Sequence, residues 1–307
     1  MTVPPRPPPT RPAPAAPARA GRRAVLAALA AGGAALPFGC AGSTGSDRFS
    51  FYARAGGVER DPSAPFEFDN DLGWRVALAR AELTIGPLYL NTIAPLRQAG
   101  CRWGVPFVRS AHAHDSHLGE GNIVGEVLGQ VTVDLLSPEP VTFPAWGTVT
   151  RDEVRTLEVC YYPAPGQPPD APGEGVAALR VEGRASKGAQ AVAFRGELAL
   201  DQTWQPSGQP GSNNYEPLRA LREVRGVPAD FVPTEGGWLE LRIDAARLLR
   251  GASFEALAQN PLDADGVTRL LVQAKGSGRS TDPVMRALYN NLRASAGGTY
   301  AARWRDA

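Results

Sequence analysis

All three histidines of the chain fall in one short run, Ala111-His112-Ala113-His114-Asp115-Ser116-His117. Neutral imidazole is the commonest transition-metal ligand, and alternate residues of an extended segment put His112 and His114 on one face. A turn at Asp115-Ser116 would return His117 beside them, with Asp115 or Glu120 as an oxygen ligand. Such a donor set favours Zn or Cu over Mg or Ca, because hard ions take mostly oxygen. The competing assignment is a solvated polar loop that meets metal only adventitiously.

The cysteines divide by position. Arg22-Arg23 precede an apolar run from Ala24 to Leu36, which ends in Pro37-Phe38-Gly39-Cys40. That run is too short to span a bilayer as a helix but suits the apolar region of a signal peptide, and the paired arginines resemble a twin-arginine export signal. Gly39-Cys40 fits a lipoprotein signal, in which the cysteine is lipidated and becomes the first mature residue. The expected location is therefore the cell envelope, with the membrane as a partner through a lipid anchor on Cys40. Export leaves Cys101 and Cys160 as an even pair in an oxidising compartment, where a disulfide between them is expected. The alternative is two separate thiols, with Cys160 packed in the core.

Familiar catalytic motifs are absent. The chain has no Gly-x-Ser-x-Gly elbow, no Gly-x-x-x-x-Gly-Lys and no Cys-x-x-Cys. Gly119, Gly121 and Gly125 are spaced one residue too long for a dinucleotide fingerprint and precede a strand, so they read as turn glycines. Asp69-Asn70-Asp71 and Asp263-Ala264-Asp265-Gly266 resemble fragments of calcium loops but lack the downstream Glu, which favours ordinary turns. Residues 1–39 carry five arginines and no acid, so the rest of the chain is mildly acidic. That balance gives no electrostatic reason to expect nucleic acid.

The elements that would position these groups are mostly strands. A hydrophobic fraction of 43% with 21% charged residues is that of an ordinary globular protein able to bury a core. Trp74, Val76 and Leu78 share one face, then the phase slips to Ala81, Leu83 and Ile85, which predicts a bulge or bend. Val127, Val131, Val133 and Leu135 alternate with Leu128, Gln130, Thr132 and Asp134, and Leu157, Val159 and Tyr161 repeat the pattern. Leu179 and Val181 lead through Ser186-Lys187-Gly188 to Val192, Phe194, Leu198 and Leu200, the pattern of a hairpin. Leu239, Leu241 and Ile243 oppose Trp238, Glu240 and Arg242. A helix is expected where Thr281 or Asp282 can cap, Pro283 fits the first turn, and Val284, Leu288 and Leu292 share a face. Gly297-Gly298 ends it, and Tyr300, Ala302 and Trp304 alternate as a closing strand. A further turn or two of helix is expected within residues 245–257. The fold class is all-β, a mainly antiparallel β-sandwich or barrel with a C-terminal helix. The expected organisation is a signal over residues 1–40, a flexible tether over 41–65 and one β-rich domain over 66–307.

The run Phe68-Asp69-Asn70-Asp71-Leu72-Gly73-Trp74, with Arg80-Ala81 and Gly86-Pro87-Leu88-Tyr89, is similar to the opening of envelope lipoproteins of myxobacterial-type bacteria. Gly125-Glu126-Val127-Leu128-Gly129, Val133-Asp134-Leu135-Leu136, Gly236 to Asp244, and Leu288-Tyr289 to Trp304 extend the resemblance over most of the mature chain. It implies a secreted β-rich lipoprotein and brings no established activity. Two function classes follow from the sequence. One is a binding or structural envelope module that handles Zn or Cu through the histidines. The other is a hydrolase using a His-bound Zn and an activated water, with Glu120 or Glu126 inside a pocket as base.

Overall fold

Alternation of apolar and polar side chains becomes strand after strand in the computed structural model, which describes residues 48–93, 122–161, 177–200, 218–273 and 282–307. In chain order the strands are β1 (Phe49–Gly57), β2 (Phe66–Asp69), β3 (Arg75–Ile85), β4 (Leu88–Asn91), β5 (Ile123–Val127) and β6 (Val131–Asp134). Next come β7 (Val141–Thr142), β8 (Gly147–Val149), β9 (Val154–Cys160), β10 (Leu179–Lys187) and β11 (Gln190–Leu198). The chain continues through helix α1 (Leu218–Leu221), β12 (Glu223–Phe231), β13 (Trp238–Ile243), helix α2 (Ala245–Leu248) and a 3-10 turn over Glu255–Gln259. It closes with β14 (Arg269–Leu270), helix α3 (Pro283–Arg293) and β15 (Tyr300–Arg305).

The expected all-β class with a C-terminal helix is the one observed. One sheet runs β12-β9-β4-β5-β8-β1-β13-β15, with β7 also on β1, and the other runs β14-β11-β10-β3-β2, with β6 on β3. Pairing is antiparallel except for β1 with β13 and β11 with β14. The larger sheet curls until its two edge strands approach each other, where Phe231 of β12 stacks on Trp304 of β15 at 5.8 Å between ring centroids. Trp304 also packs on Phe51 at 5.3 Å, so one indole ties both edges to the middle of the sheet.

The phase slip in β3 is a bulge. Glu182 of β10 lies opposite Arg80 and Gly183 opposite Leu78, which leaves Ala79 unopposed. The β10–β11 hairpin turns at Gly188, whose φ of 59° is left-handed. Helix α3 is capped by Asp282, whose Oδ1 accepts the Val284 and Met285 amides while Oδ2 accepts from the Asn260 side chain and the Val272 amide. The two calcium-like runs are turns. Asn70 caps its own loop through the Leu72 and Trp74 amides, and Asp265 accepts from Val267 and Thr268.

The N-terminal boundary of the domain differs from the expectation. The stretch 41–65, read as a tether, contains β1 over Phe49–Gly57, an interior strand of the larger sheet with Phe51, Ala53 and Ala55 fully buried. Small alanines gave a weak hydrophobic signal there, while the packing of Phe51 under Trp304 fixes the strand. The core from Phe51 to Trp304 lies within the compact unit Gly45–Ala307, which closes its own interior.

Candidate functional site

Of the sequence-derived site residues, Cys40, Cys101, His112, His114, Asp115, His117 and Glu120 lie outside the described residues. The expected Cys101–Cys160 bridge therefore has one described end, Cys160, which is buried at the end of β9. The histidine run belongs to the connection between β4 and β5. That connection leaves the described residues after Ile93, whose carbonyl accepts the Thr156 hydroxyl of β9.

Cys160 has acidic company that the sequence did not reveal. Leu157 and Val159 of β9 point into the core, so Glu158 and Cys160 share the outer face. Glu223 of β12 is opposite Cys160, Tyr89 of β4 is opposite Glu158, and Glu126 of β5 is opposite Tyr89. A carboxylate oxygen of Glu158, the Cys160 Sγ and a carboxylate oxygen of Glu223 all lie within 4.8 Å of one another. A bulge completes the arrangement. Val224 pairs with Val159 and Val227 with Leu157, so Arg225 and Gly226 together oppose Glu158. Gly226 holds φ at 76°, which side chains other than glycine disfavour.

The extra residue brings Arg225 to the acids. Its Nη2 is 2.7 Å from Glu223 Oε2 and its Nε is 3.7 Å from Glu158 Oε2, while Arg219 Nε of α1 donates to Glu223 Oε1 at 2.6 Å. Glu223 thus has a guanidinium on each oxygen, and its side chain is only 1% exposed. Glu158 is less well served, because one of its oxygens is buried without a hydrogen-bond partner. Burial first and the neighbouring Glu223 carboxylate second raise the Glu158 carboxyl from 4.5 to about 7, with Arg225 opposing the shift. The Glu158 carboxyl therefore still carries much of its proton near neutral pH. Burial, aided by Cys160, Glu126 and Glu158, also raises the Tyr89 hydroxyl.

Behind this face, the buried Tyr161 and Tyr300 hydroxyls meet at the Leu292 carbonyl and pin the end of β9 to α3 and β15. Clefts of about 270 and 360 Å³ lie elsewhere and share Asp71, Arg247 and Arg250. Their carboxylate is already used, because Asp71 accepts the Gly251 amide and sits 3.7 Å from Arg250.

The alternation of Leu157, Val159 and Tyr161 placed Glu158 and Cys160 on the opposite face from the core. Nothing in the sequence joined them to Glu223, more than 60 residues away. Chemically, the cluster offers a sulfur and two carboxylates around a displaceable proton. No family model and no curated protein matches the chain. Among solved structures, MbnP from Methylosinus trichosporium is similar at 10% identity and a TM-score of 0.34, over 83% of this chain and 98% of that one.

Proposed function

We propose that the protein is an exported, lipid-tethered binding module that holds Zn or Cu through Glu158, Cys160 and Glu223. The observation that carries this reading is the convergence of three donor atoms within 4.8 Å on the outer face of β9 and β12. A thiolate with carboxylates is a donor set for late first-row ions rather than Mg or Ca. Three protein ligands would leave a fourth position for water or for a ligand from elsewhere in the chain. Both Cys160 and Glu158 must lose protons to bind, so affinity should weaken as pH falls below about 7, the Glu158 value. The ion must also compete with Arg219 and Arg225 for Glu223, which argues for modest rather than extreme affinity. The tether rests on the Arg22-Arg23, apolar run and Gly39-Cys40 order.

The test is titration of tag-free protein with Zn and Cu against a chromophoric chelator. Glu158→Gln and Cys160→Ser should each weaken binding more than about tenfold. Unchanged affinity in both variants, with loss in the His112→Ala/His114→Ala/His117→Ala triple variant, would move the ion to the histidine run. A Cys101–Cys160 disulfide found by mass spectrometry would also defeat the reading, because the same sulfur cannot serve as a thiolate ligand. The tether is tested separately by the intact mass of membrane-extracted protein, which should show an acylated Cys40. A soluble product starting beyond Cys40 would remove the anchor.

A further inference from the structure

We infer that the outer face of β8, β1 and β13 is a membrane-docking surface that seats on phospholipid headgroups. Its apolar part is a row crossing neighbouring strands. Tyr52 of β1 pairs with Trp238 of β13 and stacks on it at 5.8 Å with an interplanar angle of 9°. Trp146, just before β8, meets Tyr52 edge-on at 6.0 Å. Leu128 follows β5, and its neighbour Gly129 lies so close to Pro144 and Ala145 that the two loops pack together. Trp146 is 70% exposed and Leu128 61%. Single exposed apolar residues are ordinary, whereas a contiguous row about 14 Å across, at ~4.8 Å per strand, is not.

The polar part is cationic. Arg54 lies over both rings, 5.0 Å from the Tyr52 centroid and 4.7 Å from that of Trp238. No carboxylate among the described residues is within ion-pair distance of it. On the same face Arg242, Arg303 and Arg305 converge on the one carboxylate of Glu240, with Glu59 as a second partner for Arg303 and Arg305. Arg242 is buried and spent on Glu240 and on the Gly57 and Pro138 carbonyls, so the cations this face offers are Arg54 and the partly exposed Arg303 and Arg305, whose guanidinium groups suit phosphate and anionic headgroups. Tryptophan and tyrosine beside them are the residues that favour headgroup depth, where one end is apolar and the other wet.

Chain length favours lipid over a protein partner as the occupant, an argument that rests on the tether proposed above. β1 begins nine residues after Cys40, and a fully extended chain of that length reaches at most about 32 Å. An acylated Cys40 would hold Phe49 within that distance of the bilayer, and Tyr52 lies only about 10 Å further along the strand. A lipid chain and a docking face together make a firmer attachment than one acyl chain alone.

The experiment uses the unit 45–307, which lacks Cys40, so its outcome is independent of lipidation. It is sedimented with phosphatidylcholine vesicles, with and without phosphatidylglycerol. The expected result is binding that phosphatidylglycerol strengthens and salt weakens, with Trp146→Ser and Leu128→Ser each lowering the partition constant about tenfold. Arg54→Gln should weaken binding only to the anionic vesicles. Val267→Ser, at a site 67% exposed in a distant turn, should leave binding unchanged. Unaltered melting curves would show that the exposed substitutions spare the fold. No sedimentation of the wild-type unit, or equal sedimentation of wild type and Trp146→Ser, would overturn the inference. So would a dimer in analytical ultracentrifugation that Trp146→Ser dissolves, because a second copy would then be the occupant.

Discussion

Replacing Glu158 with glutamine should flatten part of the pH dependence of stability. In the unfolded chain this carboxyl titrates near 4.5, and in the folded chain near 7, because burial beside Glu223 disfavours its charge. Between those values the folded state keeps a proton that the unfolded state has lost, so stability falls as pH rises through the window. The favourable contribution is complete below about 4.5 and gone above about 7. At about 1.4 kcal/mol per pKa unit the full shift corresponds to roughly 3 kcal/mol. Screening around the half-exposed Arg219 and Arg225 lowers the expected effect to about 2 kcal/mol. The amide that this substitution introduces resembles the protonated acid and can donate to Glu223. Glu158→Gln should therefore match wild type at about pH 3.5, below both values, and exceed it by about 2 kcal/mol at about pH 8, the gap already opening by about pH 5. Urea unfolding midpoints measured across that range in chelator-treated buffer give the comparison, provided that the slope is unchanged. Subtracting the two curves removes every other titrating group, including the three histidines. Parallel curves, or a variant weaker than wild type at pH 8, would show that Glu158 is ionised without penalty and that the account of the acid pair is wrong.

Phe254 fills the space between Trp74 and Phe194, at 5.5 and 5.1 Å, and pins the 3-10 turn to the smaller sheet. Phe254→Ala should cost about 3–5 kcal/mol in urea unfolding, and a loss below about 1 kcal/mol would mean that the sheet does not depend on this ring. Asp282→Ala removes an acceptor of four hydrogen bonds from a buried site. It should cost about 2–4 kcal/mol, whereas Asp282→Asn should retain much of the cap.

What the sequence disclosed and what it withheld follow from the range of each interaction. The bulge at Ala79 was readable because it shifts the phase of a period-two pattern within one strand. The cap at Asp282 was readable because the acceptor and its donors lie within three residues. Strand β1 was not, because Ala53 and Ala55 are small and their burial depends on partners nearly 200 residues away, such as Leu239 and Leu241. The acid pair failed for the same reason. Glu158 resembles any outward-facing glutamate until the β9–β12 register sets Glu223 beside Cys160. Glu240 shows a different failure. Alternation placed it outward, yet the arginines that cover it leave it 1% exposed.

The parallel pairing of β1 with β13 also dictates the order in which the fold can assemble. One edge of β1 can be satisfied early by β7 and β8, but the other must wait for Trp238–Ile243, which lie about 180 residues further on. At translation rates of about 5–20 residues per second, that interval is roughly 10–40 s. During it, the nascent chain presents an unpaired edge with Phe51 uncovered, a template for mispairing. β15 arrives later still, and Trp304 with it, so the larger sheet cannot curl shut until the last strand is made. Ribosome-stalled chains ending before residue 238 should therefore be cut by protease within β1, and chains carrying β15 should resist. High contact order makes this a slowly maturing, barrel-like sheet in which a strand made late completes one made much earlier.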